Sequence, residues 1–138
     1  MEVFTDEWAR ACGEALNGSD AYRASAAAWE GSIVLAMSAD AAQGVAEDRA
    51  VFIDAHRGEC RGAWMAAADE VATATYVLRA DAATWKRLLD REIDPVGAVM
   101  QGRLRLERGG LFALAKFAQA AKDMISAAAD VGGTFPAA

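Results

Sequence analysis

The sequence predicts an α+β fold in which helices cover a single five-stranded mixed β-sheet. Near both ends of the chain, apolar residues recur at the spacing of an amphipathic helix. In the middle of the chain the apolar period changes to two, which is typical of strands. Helical segments then separate the fourth segment of strand character from the fifth, so the strands do not form one continuous meander.

Two helices are predicted at the start of the chain. Thr5 or Asp6 can cap a first helix, which ends at about Asn17 because a glycine follows. A second, shorter helix then extends to about Ala28, with Tyr22 as its large apolar side chain. Helix termini are therefore indicated by the residue types that favour them.

Three strands are predicted next. Residues 32–37 and 49–56 alternate in the manner of strands and are separated by a turn-like stretch. Residues 57–59 predict a tight hairpin connection, in which Gly58 supplies a positive φ where the turn requires one. The third strand covers residues 60–67, so these segments form a meander.

The following segment combines one strand with two helices. Residues 71–78 are rich in β-branched side chains and predict the fourth strand. Asp81 caps a helix that ends at about Arg91. Asp94-Pro95 begins a short helix with proline at its first position, and Gly102 ends this helix.

The last two predicted elements are a strand and the longest helix. Residues 103–107 alternate arginine with leucine and predict a fifth strand, whose leucines face inward. Residues 111 to about 129 predict a helix whose apolar face is wider than the stripe of an ordinary surface helix. Packing on two sides would explain this width, and so would a cavity for an apolar ligand.

Length, charge and cysteine content exclude several classes of protein. The 138 residues suit one domain, residues 1–138, and the net charge of −6 argues against nucleic-acid binding. Two cysteines cannot build a disulfide framework, which indicates a reducing compartment. The chain lacks the residue order of a secretory signal and any apolar run of the ~20 residues that span a bilayer. We therefore expect a cytoplasmic protein.

Few residues are suited to catalysis or metal binding. His56 is the only histidine, and with Cys60 it would supply only two of the four ligands of a structural zinc site. Asp54 and His56 share one face of a predicted strand and form the only plausible catalytic pair, although a solvated strand end explains them as well. Cys12 fits a small core residue. The sequence thus predicts no catalytic residues, no metal site and no cofactor.

A motif in the second half of the chain carries a family resemblance. Asp94-Pro95 is followed by small residues, by Met100-Gln101-Gly102, and then by alternating basic and apolar residues. In this motif, and more broadly from Ala68 to Phe117, the sequence resembles the sterol carrier protein type 2 family. The order of the earlier helix and hairpin segments agrees, so the resemblance extends at low stringency over nearly the whole chain.

The resemblance implies a five-stranded sheet and helices around an apolar tunnel or cavity. It implies non-catalytic binding and transfer of a fatty acid, a fatty acyl-CoA or a sterol-like lipid. Trp64, Trp85 and Phe112 are large enough to fill the space that a sterol would need, which favours a fatty acyl chain. The turn Glu107-Arg108-Gly109-Gly110 departs from the basic residue, glycine and polar or acidic residue that are usual in the family.

The same resemblance predicts the residues and partners of the site. Eight residues are predicted to line the tunnel, and each would also fit an ordinary core: Trp85, Leu88, Leu89, Val99, Met100, Leu114, Phe117 and Met124. Arg103 or Arg105 would meet an anionic head group, or, with Arg108, would form a solvated strand face. The expected partners are a lipid or fatty acyl ligand, a membrane in transient contact, and a second copy in a homodimer.

Two alternatives to a lipid carrier are open at this point. The same fold could be an interaction or dimerisation module whose cavity is filled by side chains. It could also be a small enzyme that acts on a hydrophobic substrate through Asp54 and His56.

Overall fold

The computed structural model describes residues 1–137 and has the predicted α+β architecture, with five strands and seven helices. The strands lie in the order β3-β2-β1-β4-β5. Only the central pair, β1 and β4, is parallel among the four pairings of this described sheet. The strand bounds are β1 Ile33–Met37, β2 Arg49–His56, β3 Glu59–Met65, β4 Tyr76–Ala80 and β5 Arg105–Arg108.

Four of the helices begin at side-chain caps that the sequence indicates. Thr5, Ser19, Asp81 and Asp94 each accept a hydrogen bond from the main-chain N–H three residues later, at 2.8–3.3 Å. These bonds satisfy N–H groups that have no partner within the helix. The helix bounds are α1 Asp6–Asn17, α2 Asp20–Ser25, α3 Ala68–Thr73, α4 Ala82–Leu89, α5 Pro95–Met100, α6 Leu111–Lys116 and α7 Ala118–Val131.

The predicted hairpin between β2 and β3 is confirmed. Its two-residue turn has φ angles of 50° at Arg57 and 85° at Gly58, the pair of positive angles that a type I′ turn requires. A side chain at Gly58 is also excluded by space, because its Cβ would lie 2.4 Å from the carbonyl oxygen of Arg23. The connection is one residue shorter than predicted, since Glu59 already pairs with His56.

The predicted fourth strand, residues 71–78, is wrong in its first half. Residues 68–73 form α3, and β4 begins only at Tyr76. The helix is stabilised by Glu70, whose carboxylate accepts the N–H of Ala67 at 2.9 Å and the indole N–H of Trp64 at 3.0 Å. Contacts of Glu70 therefore outweigh the strand preference of the β-branched residues.

The predicted longest helix is two helices. The chain leaves the helical conformation at Phe117, where φ is −106° and ψ is 32°, so α6 ends and α7 begins on either side of this residue. Phe117 packs edge-on against Trp29, with 5.0 Å between the ring centroids. The fifth strand is also displaced, since it covers residues 105–108 rather than 103–107.

The core lies between one face of the sheet and the helices. Alternate residues of β1 and β4 point to this face, and α7 packs against α1, α2, α4 and α5 above it. The opposite face of the sheet carries a smaller cluster of buried side chains, which includes Val34, Ala36 and Val77 together with Ala74 after α3. The larger interior volume is therefore on the side of α7.

Candidate functional site

A small apolar cavity lies between the sheet and the helices. Its sheet wall follows from the register of the central parallel pair, in which Ile33 lies opposite Tyr76 and Leu35 opposite Leu78. All four side chains project from the same face and line the cavity, and Leu104, just before β5, completes this wall. Strand alternation thus places a continuous apolar surface at the centre of the sheet.

The opposite wall is formed by helices and by the segment after α2. In α7, Ala120, Ala121, Met124 and Ile125 lie at spacings of one, four and five residues, so they share one helix face. The alanines leave space beside the larger side chains. The other lining residues on this side are Tyr22, Ala26, Trp29, Pro95 and Leu114.

The cavity is small and carries no charged lining residue. Its volume is about 30 Å³, which corresponds to roughly two water-sized spheres. Pockets that enclose a small ligand usually measure about 300–1,000 Å³. A hydrocarbon chain would therefore fit only if part of the wall moved outward.

Aromatic rings form one end of the cavity. Trp29 packs against Tyr76, with 4.6 Å between the ring centroids, and against Phe117 on its other side. Tyr76 in turn lies against Gly109, where an added Cβ would come within 2.3 Å of the tyrosine ring. Gly109 has a φ of 110°, so both conformation and space require glycine here. The aromatic cluster therefore connects the sheet to the start of α6.

The hydroxyl of Tyr22, which lines the cavity, and the buried thiols of Cys12 and Cys60 are held in their neutral forms. Burial raises the pKa of Tyr22 to about 12, and the nearby thiol of Cys60 shifts it in the same direction. Burial likewise raises the pKa of Cys12 to about 12, and that of Cys60 is also raised. Neither cysteine is disulfide-bonded. Protonated thiols are poor nucleophiles, so this cluster offers no reactive group at neutral pH.

Two surface grooves border the cavity. The larger, of about 460 Å³, lies between β5 and the start of α6, and we call it the β5–α6 groove. Leu104 lines both this groove and the cavity. The smaller groove, of about 230 Å³, lies between the α4–α5 connection and α7 and shares Pro95 and Ile125 with the cavity. The cavity and the two grooves are therefore neighbours that share these lining residues.

Two of the eight residues predicted to bind ligand, Leu114 and Met124, line the cavity. Phe117 lies beside it, against Trp29. Val99 lines the β5–α6 groove, and the neighbouring Met100 is 70% exposed. The structure therefore brings part of the predicted set together around the cavity and the β5–α6 groove.

The other predicted residues belong to α4 and lie elsewhere. Trp85 is fully buried, donates its indole N–H to the carbonyl of Ala36 at 2.8 Å, and packs against Phe4. Leu88 is also fully buried and borders the smaller groove, whereas Leu89 faces a surface depression beside the C-terminal segment. No contact brings these three residues to the lining of the cavity within residues 1–137.

The eight predicted lining residues all lie in predicted helices, so they do not include the sheet wall of the cavity. Ile33 and Leu35 have the same parity in β1, and Tyr76 and Leu78 have the same parity in β4. A period of two in adjacent buried strands would have indicated that these residues share a face. Trp29, which lies between elements, had no such signal.

The candidate catalytic pair is not joined by a hydrogen bond in the part of the chain that the structure describes. Asp54 lies at an irregularity in the β2–β3 pairing and accepts a hydrogen bond from Arg61 at 3.0 Å. His56 lies at the hairpin, where it pairs with Glu59 on one side and Glu30 on the other. Between residues 1 and 137, no three His, Cys, Asp or Glu side chains are grouped so that they could hold a metal ion.

Across the described residues 1–137, none of the helices has both the length and the apolar character needed to cross a bilayer.

Comparison with known proteins assigns the family. Residues 13–122 match the SCP-2 sterol transfer family. Because this match covers well over half of the chain, the protein belongs to that family. Among curated proteins, none matches the chain.

Solved structures agree with this assignment. A crystal structure of sterol carrier protein 2 is 40% identical, with a TM-score of 0.85, and the alignment covers 94% of this chain and 98% of that one. A conserved hypothetical protein from Thermus thermophilus, a candidate sterol carrier protein, is 41% identical, with a TM-score of 0.86 and coverages of 97% and 92%. The apo form of sterol carrier protein 2 from Yarrowia lipolytica is 14% identical and shares the fold, with a TM-score of 0.59 and 86% coverage of each chain.

Proposed function

We propose that this protein binds a hydrophobic ligand in the cavity below α7 and transfers it without chemical change. The ligand class is a fatty acid, a fatty acyl-CoA or a sterol-like lipid. The observation that carries the proposal is the lining of the cavity, which combines apolar side chains with small alanines and contains no charged residue. Membership of the SCP-2 sterol transfer family supports the same function.

Burial of a hydrocarbon chain provides enough free energy for such a carrier. Transfer of each CH₂ group from water is worth about 0.8 kcal/mol, so a ten-carbon tail supplies roughly 8 kcal/mol before the costs of ordering. Before those costs are subtracted, about 8 kcal/mol corresponds to a dissociation constant of about 1 μM, and each further CH₂ group of a longer chain offsets about 0.8 kcal/mol of them. No specific polar contact is required, which agrees with a loosely selective lining.

Entry of the ligand requires a movable wall, and α6 is the element best suited to move. Leu114 is the only buried residue among the six residues of this described helix. Phe117 interrupts the helical conformation directly after it, so α6 can rotate outward while α7 stays in place. We propose that outward movement of α6 withdraws Leu114 from the cavity wall and lets the side chain of Leu104, which lines both spaces, turn aside, so that the cavity joins the β5–α6 groove. The combined volume then falls within the range of ordinary ligand pockets.

Arg105 is the proposed contact for the polar end of an anionic ligand. It is exposed and lines the β5–α6 groove, next to the position where Leu104 separates groove from cavity. A carboxylate or phosphate at the groove would be within the reach of this guanidinium, while the tail occupies the cavity. The contact would orient the ligand more than it would strengthen binding, because the groove is open to solvent.

Two features support binding without catalysis. The carboxylate of Asp54 is paired with Arg61 between β2 and β3, and neither residue lines the cavity. The thiols of Cys12 and Cys60 are held protonated by burial. Neither group is placed to act on a ligand in the cavity.

The test uses a cavity-filling variant with a matched control on the same helix. Ala120→Leu places a larger side chain in the cavity, whereas Ala129→Leu makes the same change at a half-buried position outside it. Displacement of a fluorescent fatty acid should be weakened about tenfold or more by Ala120→Leu and little by Ala129→Leu, because overpacked sites exclude ligand. Native mass spectrometry of the purified protein should detect a lipid at about one per chain.

A second candidate function is favoured by the small cavity volume. With about 30 Å³ of free space, the interior is already nearly filled by side chains, as an interaction or dimerisation module would require. Failure to bind the fluorescent fatty acid and to retain lipid, together with a stable oligomer in sedimentation, would assign this second function and overturn the carrier proposal.

A further inference from the structure

Three of the five exposed large apolar side chains among the described residues 1–137 lie in the segment from position 100 to position 112, and the other two are Met1 and Trp64. Phe112 is 92% exposed, Met100 is 70% exposed and Leu111 is 43% exposed. Leu111 lines the β5–α6 groove, and Phe112 and Met100 are the chain neighbours of the lining residues Leu111 and Val99. Exposed apolar clusters of this kind mark interaction sites, whereas single exposed residues do not.

The same segment has a net positive charge, whereas the rest of the chain has a net negative charge. Residues 95–117 contain three arginines and one lysine but only one acidic residue, Glu107, in a chain of net charge −6. The carboxylate of Glu107 accepts a hydrogen bond from Arg79 at 2.6 Å, so it is engaged outside this segment. Arg103, Arg105 and Arg108 are all exposed. Exposed positive charge is therefore concentrated in this segment.

We propose that this face docks on an anionic lipid bilayer. Phe112 and Met100 enter the interfacial region, and Arg103 and Arg108 contact lipid phosphates beside them. Apolar residues flanked by arginines suit such an interface, because burial of the apolar side chains and attraction to the anionic surface act together. Docking would hold the β5–α6 groove against the lipid surface.

The charge of the face favours a bilayer over a second copy of the chain. A two-fold symmetric contact would bring two copies of this positively charged face together, which is repulsive. The remainder of the chain is acidic, and this would keep the molecule from lying on an anionic membrane by any other face. A bilayer is therefore contacted in one orientation.

Cosedimentation with vesicles tests the docking surface. The probes are vesicles of phosphatidylcholine alone and vesicles of phosphatidylcholine with an equimolar amount of phosphatidylglycerol. The wild-type protein should bind the anionic vesicles and lose binding when the salt concentration is raised to about 0.5 M. The double variant Arg103→Gln/Arg108→Gln should bind about 25-fold more weakly. Phe112→Ser should bind about tenfold more weakly.

Control variants separate the face from overall charge. Arg10→Gln/Arg23→Gln makes the same change in charge on α1 and α2, and α1 packs on the opposite edge strand of the sheet, β3. Vesicle binding by this variant should equal that of the wild type. Equal binding by all variants, or no binding to anionic vesicles by the wild type, would overturn the proposal. So would self-association that Phe112→Ser abolishes, because it would assign the face to a second copy.

The docking surface goes beyond the carrier function and can fail separately from it. In the absence of vesicles, Phe112→Ser should bind the fluorescent fatty acid as the wild type does, because the Phe112 side chain is 92% exposed and does not line the cavity. Ala120→Leu should lose fatty acid binding and keep vesicle binding. Loss of both properties in each of these variants would contradict the assignment of the two functions to different residues.

Discussion

Phe117 packs edge-on against Trp29 at the residue where α6 gives way to α7, with 5.0 Å between their ring centroids. Trp29 is buried and lines the cavity, so this contact ties the junction of the two helices to the cavity wall. The position of α6 therefore depends on one aromatic pair and on Leu114. If α6 moves outward as proposed, the stability of this junction should control how readily the wall opens.

Phe117→Ala should loosen α6 more than the rest of the fold. The half-buried ring contributes about 2 kcal/mol, less than the ~3–5 kcal/mol of a fully buried phenylalanine. Hydrogen exchange should accelerate at the α6 amides, and urea unfolding should report the loss of stability. Phe52→Ala is the matched control, because Phe52 is also half-buried and stacks on Trp64 at 5.0 Å on the other face of the sheet. Equal effects of both variants on α6 would contradict the assigned role of Phe117.

Trp85→Phe should reduce stability without changing ligand affinity. The substitution removes the N–H that donates to the carbonyl of Ala36 and leaves a buried acceptor without this partner, which costs about 1–3 kcal/mol. Urea unfolding measures the loss, and displacement of a fluorescent fatty acid measures affinity. A marked loss of affinity with little loss of stability would instead support the prediction that Trp85 binds ligand.

Gly109→Ala should be much more destabilising than the same change at the next residue. The Cβ of an alanine at position 109 would collide with the ring of Tyr76, and a φ of 110° is strained for any L side chain. We expect a loss of about 2–4 kcal/mol by urea unfolding. At Gly110, φ is −87° and the nearest atom to an added Cβ is 3.9 Å away, so Gly110→Ala should cost less than about 1 kcal/mol. Similar losses at both positions would refute the argument.

Stability should fall as the pH rises from about 9 to about 12. The folded protein raises the pKa of Cys12 from 9.0 to about 12 and that of Tyr22 from 10.0 to about 12, chiefly by burial. Above pH 9 the unfolded chain ionises first and binds fewer protons than the folded chain, so ionisation favours unfolding. The contribution of each group is complete below its unfolded pKa and falls by about 1 kcal/mol per pH unit within the window.

Urea unfolding at successive pH values measures this decline, and Cys12→Ala provides the control. The variant should be less stable at neutral pH because a small cavity replaces the thiol, but its stability should fall less steeply between pH 9 and pH 10. An unchanged slope in Cys12→Ala would show that the buried thiol is not responsible for the decline.

The sequence predicts an element boundary correctly where a single residue type, such as a helix cap or a turn glycine, determines that boundary. Thr5, Asp81 and Asp94 cap helices with their own side chains, and Gly58 permits the hairpin turn, so these boundaries were predicted. The break at Phe117 depends on a contact with Trp29, which lies far away in the sequence. Because the apolar period continues across position 117, the sequence gives no sign of the interruption.

The site was predicted in part for a related reason. Leu114 and Met124 were recognised from the wide apolar face of the last helical region, and they line the cavity. Trp85 has the same helical signal but is turned towards Ala36 by its indole hydrogen bond. A helical pattern shows that a face is buried, but not which of two interior regions it meets. The assignment of all eight residues to ligand binding, Leu114 and Met124 included, therefore stays a prediction.

The central parallel pair β1–β4 has a consequence for the order of folding. The whole of β2, β3 and α3 lies between these two strands in the sequence, so their pairing closes a long loop. The β2–β3 hairpin has a two-residue turn and can form within about 1–10 μs. We expect the hairpin at the edge to form first and the centre of the sheet to assemble later, on the millisecond-to-second scale of chains with many distant contacts. The most buried strands would then be the last to acquire protection from hydrogen exchange during refolding.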